Sequence, residues 1–242
     1  ATGRRGLLGF AGSMHGKSLA TALLGWDNRD GLCLPGLHRL PFPEAGREQD
    51  VLAAVERALS GEDISAVFLE PIQASHGGRA LPAGFCREVA RLARARGTLV
   101  VFDEILTGFH RTGPAFAFED MNLLPDAVLI GKALGNGFPV SAVLLERAHP
   151  VVPAMLPGST YAGNPLASAA VCGTLREMRR LDLPARVAAI AATVGAGLED
   201  LRGAGIPVRG RGALWVLELP ASRDAEEAVL GIYRWGVCVG HA

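Results

Sequence analysis

The chain predicts an α/β protein built on a mainly parallel sheet, with a smaller, partial α+β domain at its C-terminal end. Three observations carry that reading. Continuous apolar runs recur up to about residue 165. Amphipathic segments of helical spacing separate them. After Asn164-Pro165 the texture changes to long helical patterns with one strand signal. Strands that are apolar on both faces and alternate with amphipathic helices indicate a parallel sheet covered by helices. With 242 residues, 49% hydrophobic content and a mean hydropathy of +0.26, the chain can bury a sizeable core.

The elements follow in order. "LLGF" (7–10) opens the architecture, and helical spacing around Val51 to Leu59 extends it. "AVFLE" (66–70) is a β-rich run ending in an acid. "PAGFCREVARLARARG" (82–97) is a helix with an Arg-rich face, expected to be solvated, that stops at Gly97. "TLVVFDE" (98–104), "DAVLIGK" (126–132) and "VSAVLLE" (140–146) are three further strands. Beyond Asn164-Pro165, "LASAAVCGTLREMRRL" and "PARVAAIAATVGAGLEDLRG" read as two helices. "VRGRGALWVLEL" (208–219) reads as a turn and strand, and "AEEAVLGIYRWG" (225–236) as a last helix. The expected division is a large domain over 1–165 and a connecting helix with a partial small domain over 166–242.

Charge and composition narrow the function. Lys+Arg and Asp+Glu are both 24, so no charge field points to nucleic acid. No apolar run reaches transmembrane length, and a membrane role is not expected. Cys33, Cys86, Cys172 and Cys238 are widely spaced, as in a cytoplasmic protein with reduced thiols. The histidines share no metal-ligand spacing, so no metal site is expected.

Three strands of the inferred sheet end in ionisable residues: Glu70, Asp103 with Glu104, and Lys132 just past Gly131. The carboxyl ends of parallel strands lie along one edge, where ligand crevices form. The chain has only two lysines, Lys17 and Lys132, among many arginines. A lysine in an apolar setting can shed its proton and act as a nucleophilic amine, which a guanidinium cannot. "TGFHRTG" (107–113) and "GKALGNGFP" (131–139) supply glycines for a close approach to a flat ligand. "GSTYAGNP" (158–165) places Ser159 and Thr160 hydroxyls before a helix start, where a phosphate can sit. A lysine for an imine, an acid for a ring nitrogen and hydroxyls for a phosphate make up the inventory of a pyridoxal 5′-phosphate site.

Five stretches stand in a familiar order and spacing: "LEPIQASHGG", "LVVFDEILTGFHRTG", "LIGKALGNGFP", "GSTYAGNPLA" and "RGRGALWVLEL". From about residue 3 to about residue 219 the chain resembles the class III aminotransferases, the fold-type I pyridoxal phosphate family of ornithine, acetylornithine and 4-aminobutyrate aminotransferases. The resemblance implies that Lys132 forms the Schiff base with the cofactor and carries the proton. It implies that Asp103 pairs with the pyridine nitrogen, with His15 behind it, and that Ile105 presses on one ring face. Thr160, with Ser159, would reach the phosphate of a neighbouring subunit, in a homodimer with shared sites. Glu70 and Gln73 would line the inner pocket. The implied reaction moves an amino group between an amine or ω-amino acid and a 2-oxo acid.

The departures from the family pattern are as informative. Met14 stands where an aromatic residue usually covers the other ring face, and its sulfur can do so less rigidly. Leu106 replaces a Gln near the ring hydroxyl, and Ser75 replaces the gating Glu of ornithine-type members. These two changes leave an aminomutase or decarboxylase of the same fold as an alternative. The upstream phosphate-gripping helix start and the C-terminal substrate-carboxylate Arg of the family are not in this chain. It is therefore expected to be a piece of a longer protein, or a truncated, non-catalytic homologue acting as a binding or dimerising module.

Overall fold

A computed structural model of the chain describes residues 2–26, 32–61, 63–147, 159–220 and 224–240. Apolar strands and helices alternate in the order the sequence suggests. Strand β1 (Gly6–Phe10) leads through the short helix α1 (Leu19–Gly25) to β2 (Leu37–Leu40), and α2 (Glu48–Gly61) leads to β3 (Ile64–Leu69). A small antiparallel pair, β4 (Ile72–Gln73) and β5 (Arg79–Ala80), precedes α3 (Ala83–Ala95) and β6 (Leu99–Asp103). Next come β7 (Ala127–Ile130) and β8 (Ala142–Leu145). The sheet order is β2-β1-β3-β6-β7-β8; all pairs are parallel except β7 with β8.

Helices α2 and α3 cover one face because their apolar residues fall on one stripe. Val51, Leu52, Val55 and Leu59 of α2, and Phe85, Cys86, Val89, Ala90 and Ala93 of α3, are buried. They pack on Leu8, Phe10, Val67, Val100 and Phe102 of the sheet, with Phe10 and Phe85 edge to face at 5.6 Å. Each large side chain so buried contributes about 2 kcal/mol. The opposite face has a smaller cluster, Ala66, Val101 and Ala127, with half-buried neighbours.

The C-terminal part consists of α4 (Pro165–Arg180), α5 (Leu183–Gly197), α6 (Glu199–Gly203), the hairpin β9 (Val208–Arg211) and β10 (Leu214–Leu217), and α7 (Ala225–Arg234). Asn164 caps α4 by accepting from Ala167 N at 2.9 Å, and Pro165 fills a first-turn position that needs no donor. Among the described residues no single helix is long and apolar enough to cross a membrane. Helices α4 and α5–α6 reach that composition only together, across a 72° break.

Several expectations need correction. The run 140–146 does not lie between helix layers: β8 is an antiparallel edge strand with all four residues exposed. The helix expected over 184–203 breaks at Leu198 into α5 and α6. The expected single strand over 208–219 is a hairpin. The Arg-rich face of α3 is not wholly solvent-directed, since Arg87 donates to Met121 O at 3.0 Å and Arg94 to Leu124 O, pinning the loop before β7.

Candidate active site

Strands β3, β6 and β7 are neighbours in the sheet and parallel, so Glu70, Asp103 and Lys132 come to one edge from three distant segments. The field between them is felt: burial pushes Glu70 up to about 8, the Asp103 charge adds to this, and Lys132 opposes it. Glu70 is buried, and Met14 N donates to its Oε2 at 2.8 Å.

Asp103 is sealed in. His15 Nδ1 lies 2.9 Å from its Oδ2, with both side chains almost wholly buried, and Ile105 N donates to Oδ1 at 3.1 Å. The His15 ring leans on Phe68 at 5.6 Å. His15 Nε2 is buried without a partner. With Nδ1–H donating to Asp103, Nε2 carries a bare lone pair, which costs less than an orphaned N–H. Each Asp103 oxygen accepts one protein hydrogen bond and keeps a second lone pair.

The loop after β1 that bears Met14 and His15 is tied down by Gln73 and Arg79. Gln73 Nε2 donates to Ala11 O and to Ser13 Oγ, both at 2.9 Å, and Arg79 donates to Gln73 Oε1 at 2.7 Å. Arg79 also pairs with Glu44 at 2.7 Å and lies 4.2 Å over the Phe42 ring. Gly12, at φ +85°, is required there, because a Cβ would come within 2.6 Å of Arg79 Nη2. Gln73 is fully buried and its amide is engaged at both ends. It is therefore a tie beneath the loop, not a group facing an open inner pocket. Arg79 sits six residues after Gln73 on a two-residue strand, and no local periodicity could have flagged the pair.

Glu104 likewise turns inward from the rim. It accepts from Phe118 N at 2.9 Å and from the Thr107 hydroxyl, and burial holds its carboxyl above the usual range. It fastens the base of the loop that follows Asp103.

Lys132 departs from expectation. It does not lie in an enclosed apolar setting: it is exposed, on a 3-10 turn (Lys132–Leu134), at φ +41°. Its nearest apolar support is Ile105, whose Cγ2 would be 3.6 Å from a Cβ placed at Gly131. Lys132 lines a cleft of about 540 Å³ with Arg111, Ala133, Asn136, Gly137, Phe138, Pro139 and Val140. Met14 is half-buried on the loop opposite. Ser159 and Thr160 are exposed in the turn before α4 and do not line the cleft of their own chain. Helix α4 nonetheless packs beside it, with Val171 against Val128, Ile130 and Leu134. Among the described residues no three His, Cys, Asp or Glu side chains cluster as metal ligands.

Comparison with known proteins agrees with this geometry. A family profile described as "Aminotransferase class-III" matches residues 1–242. The chain is 36% identical over 197 residues to a 2-aminoadipate transaminase of Pseudomonas putida, covering 74% of this chain and 46% of the relative. It is 34% identical over 228 residues to an acetylornithine aminotransferase of Methanopyrus kandleri, covering 90% and 55%. Its structure is similar to that of an ornithine aminotransferase of Toxoplasma gondii, at 27% identity and a TM-score of 0.85, covering 98% of this chain and 57% of that one. The chain thus spans about half the length of the curated relatives it matches.

Proposed function

The chain belongs to the class-III aminotransferases, with their fold-type I architecture, and on that premise we propose that it carries the reacting core of a pyridoxal 5′-phosphate-dependent transaminase. The single observation behind the proposal is the edge where Glu70, Asp103 and Lys132 meet. The amino group would pass between an amine or ω-amino acid and a 2-oxo acid. The relatives above are aminotransferases by name, which favours amino-group transfer over a mutase or decarboxylase reaction.

The residues present fit the cofactor. Asp103 has free lone pairs in a buried, oriented carboxylate, Lys132 stands exposed beside it, and Gly131 leaves room next to Ile105. When bound, pyridoxal phosphate supplies an amine-reactive aldehyde and an electron-accepting ring. Asp103 would hold the ring nitrogen's proton, and His15 would keep that carboxylate turned toward it. Glu70, protonated near neutral pH, leaves Asp103 as the one buried anion facing the cleft. Lys132, as a free amine, would be the nucleophile and would carry the proton at its Nζ. Ile105 and Met14 would bracket the ring.

Ser159 and Thr160, exposed and outside their own chain's cleft, suit the phosphate of a second protomer. The proposal therefore includes a homodimer with shared sites. It extends to a cytoplasmic location, in keeping with four unpaired cysteines, and to a domain division at residue 165. The fall in burial supports that division, since Ala167 and Val187 alone represent the buried hydrophobic residues beyond Leu134 among those described.

The test is a visible spectrum of the purified chain mixed with pyridoxal phosphate, wild type beside Lys132→Ala, followed by borohydride reduction. A band that reduction fixes onto Lys132, absent from the variant, is expected. No fixed label on the wild type would sink the proposal.

A further inference from the structure

The Lys132 cleft holds a second cation. Arg111 lines it together with Lys132, and none of the lining residues is acidic. A guanidinium exposed on a flexible stem would be an ordinary solvated group. This one is held. Arg111 O accepts from Ala213 N at 2.8 Å, and Arg111 Nη1 donates to Ala213 O at 3.3 Å, so both the backbone and the side chain bond to the turn of the β9–β10 hairpin.

The hairpin is itself fastened on either side of that contact. Arg211 pairs with Asp120 at 2.8 Å and donates to Thr112 at 3.3 Å, while Arg209 donates to Gly77 O at 3.2 Å. Gly212, at φ +62°, lets the turn press on the loop, because a Cβ there would sit 2.7 Å from Arg111 O. Arg111 spends one N–H on the hairpin, and the remainder of its planar fork is left for a ligand. A preorganised fork beside an amine suits a carboxylate better than any neutral group.

We propose that Arg111 binds the carboxylate of the substrate in the Lys132 cleft, so that the site selects amino acids and 2-oxo acids over simple amines. The proposal rests on reading that cleft as the substrate site, and its test is separable from that reading. Glutarate is titrated calorimetrically into the full chain with pyridoxal phosphate present, for wild type, Arg111→Gln and Arg111→Lys. In parallel, borohydride labelling of Lys132 is read by mass spectrometry. Arg111→Gln should weaken glutarate about tenfold or more while Lys132 is still labelled, with Arg111→Lys in between.

A second measurement needs no variant. Phenylglyoxal modifies exposed arginines, and glutarate should slow its reaction at Arg111 specifically, as resolved peptide by peptide. Equal glutarate binding by wild type and Arg111→Gln would overturn the proposal. So would no glutarate binding by the wild type, or an Arg111 labelling rate that glutarate leaves unchanged. Loss of the Lys132 label in the wild type, with glutarate binding intact, would instead count against the transaminase reading alone.

Discussion

Asp103 and Lys132 stand at the ends of adjacent strands, yet one is closed in by its own chain and the other is open. Asp103 has a buried imidazole at 2.9 Å and a backbone donor at 3.1 Å. Lys132 has a left-handed backbone, a wide cleft and exposed neighbours from Asn136 to Pro139. The contrast separates two tasks. The group that must keep one orientation is built into the core, where β6 is flanked by β3 and β7. The group that must reach incoming molecules is placed past the last parallel strand, where only the exposed edge strand β8 follows.

The sharpest way to break this comparison is to delete each side chain and measure stability. Asp103→Ala leaves His15 buried without its partner and should cost about 3 kcal/mol in urea unfolding. Lys132→Ala should change stability by no more than about 0.5 kcal/mol, as at an exposed position. Equal costs would mean that Lys132 also belongs to the packed structure.

Glu70 sharpens the contrast through pH. Its carboxyl holds a proton in the folded chain up to about 8, whereas the unfolded chain releases it near the ordinary value of 4.5. Between those values the folded state binds more protons, so stability falls as pH rises and levels off above about 8. Glu70→Gln, neutral throughout, should flatten that slope and gain stability relative to wild type at about pH 9. Urea midpoints at about pH 5 and about pH 9 measure it; parallel slopes for the two proteins would show Glu70 ionised in the fold.

The smallest effect lies on the wall between the two regions. Phe109 and His110 are consecutive non-glycine residues at φ +57° and +67°, a conformation that costs a side chain with a Cβ. His110→Gly should raise stability by about 0.5 kcal/mol, after loss of the 3.1 Å contact of His110 Nδ1 with Gly113 O. A thermal melt would show it as a small upward shift, and a downward one would mean that the contact outweighs the strain.

Much of the site is legible in the order of the residues. Apolar runs ending in Glu70, Asp103 and Lys132 imply one edge, because parallel strands share a direction and the side chains at their carboxyl ends must be neighbours. Burial of Val55, Val89 and Phe102 follows equally from periodicity. Those are statements about local pattern, which the chain carries residue by residue.

The tertiary structure alone decided the rest. Gln73 and Arg79 proved to be ties beneath the Met14–His15 loop, and Glu104 an anchor for the loop after Asp103. Arg111 entered the Lys132 cleft because a hairpin about a hundred residues later holds it there. Strand β8 has the composition of a core strand and lies on an edge. Composition reports how much apolar surface a segment offers, whereas edge position and hydrogen-bond partners depend on what other segments leave uncovered. The sequence by itself determined the α/β sheet and the three groups on its rim; which polar side chains face the ligand and which hold the frame was settled only when distant loops met.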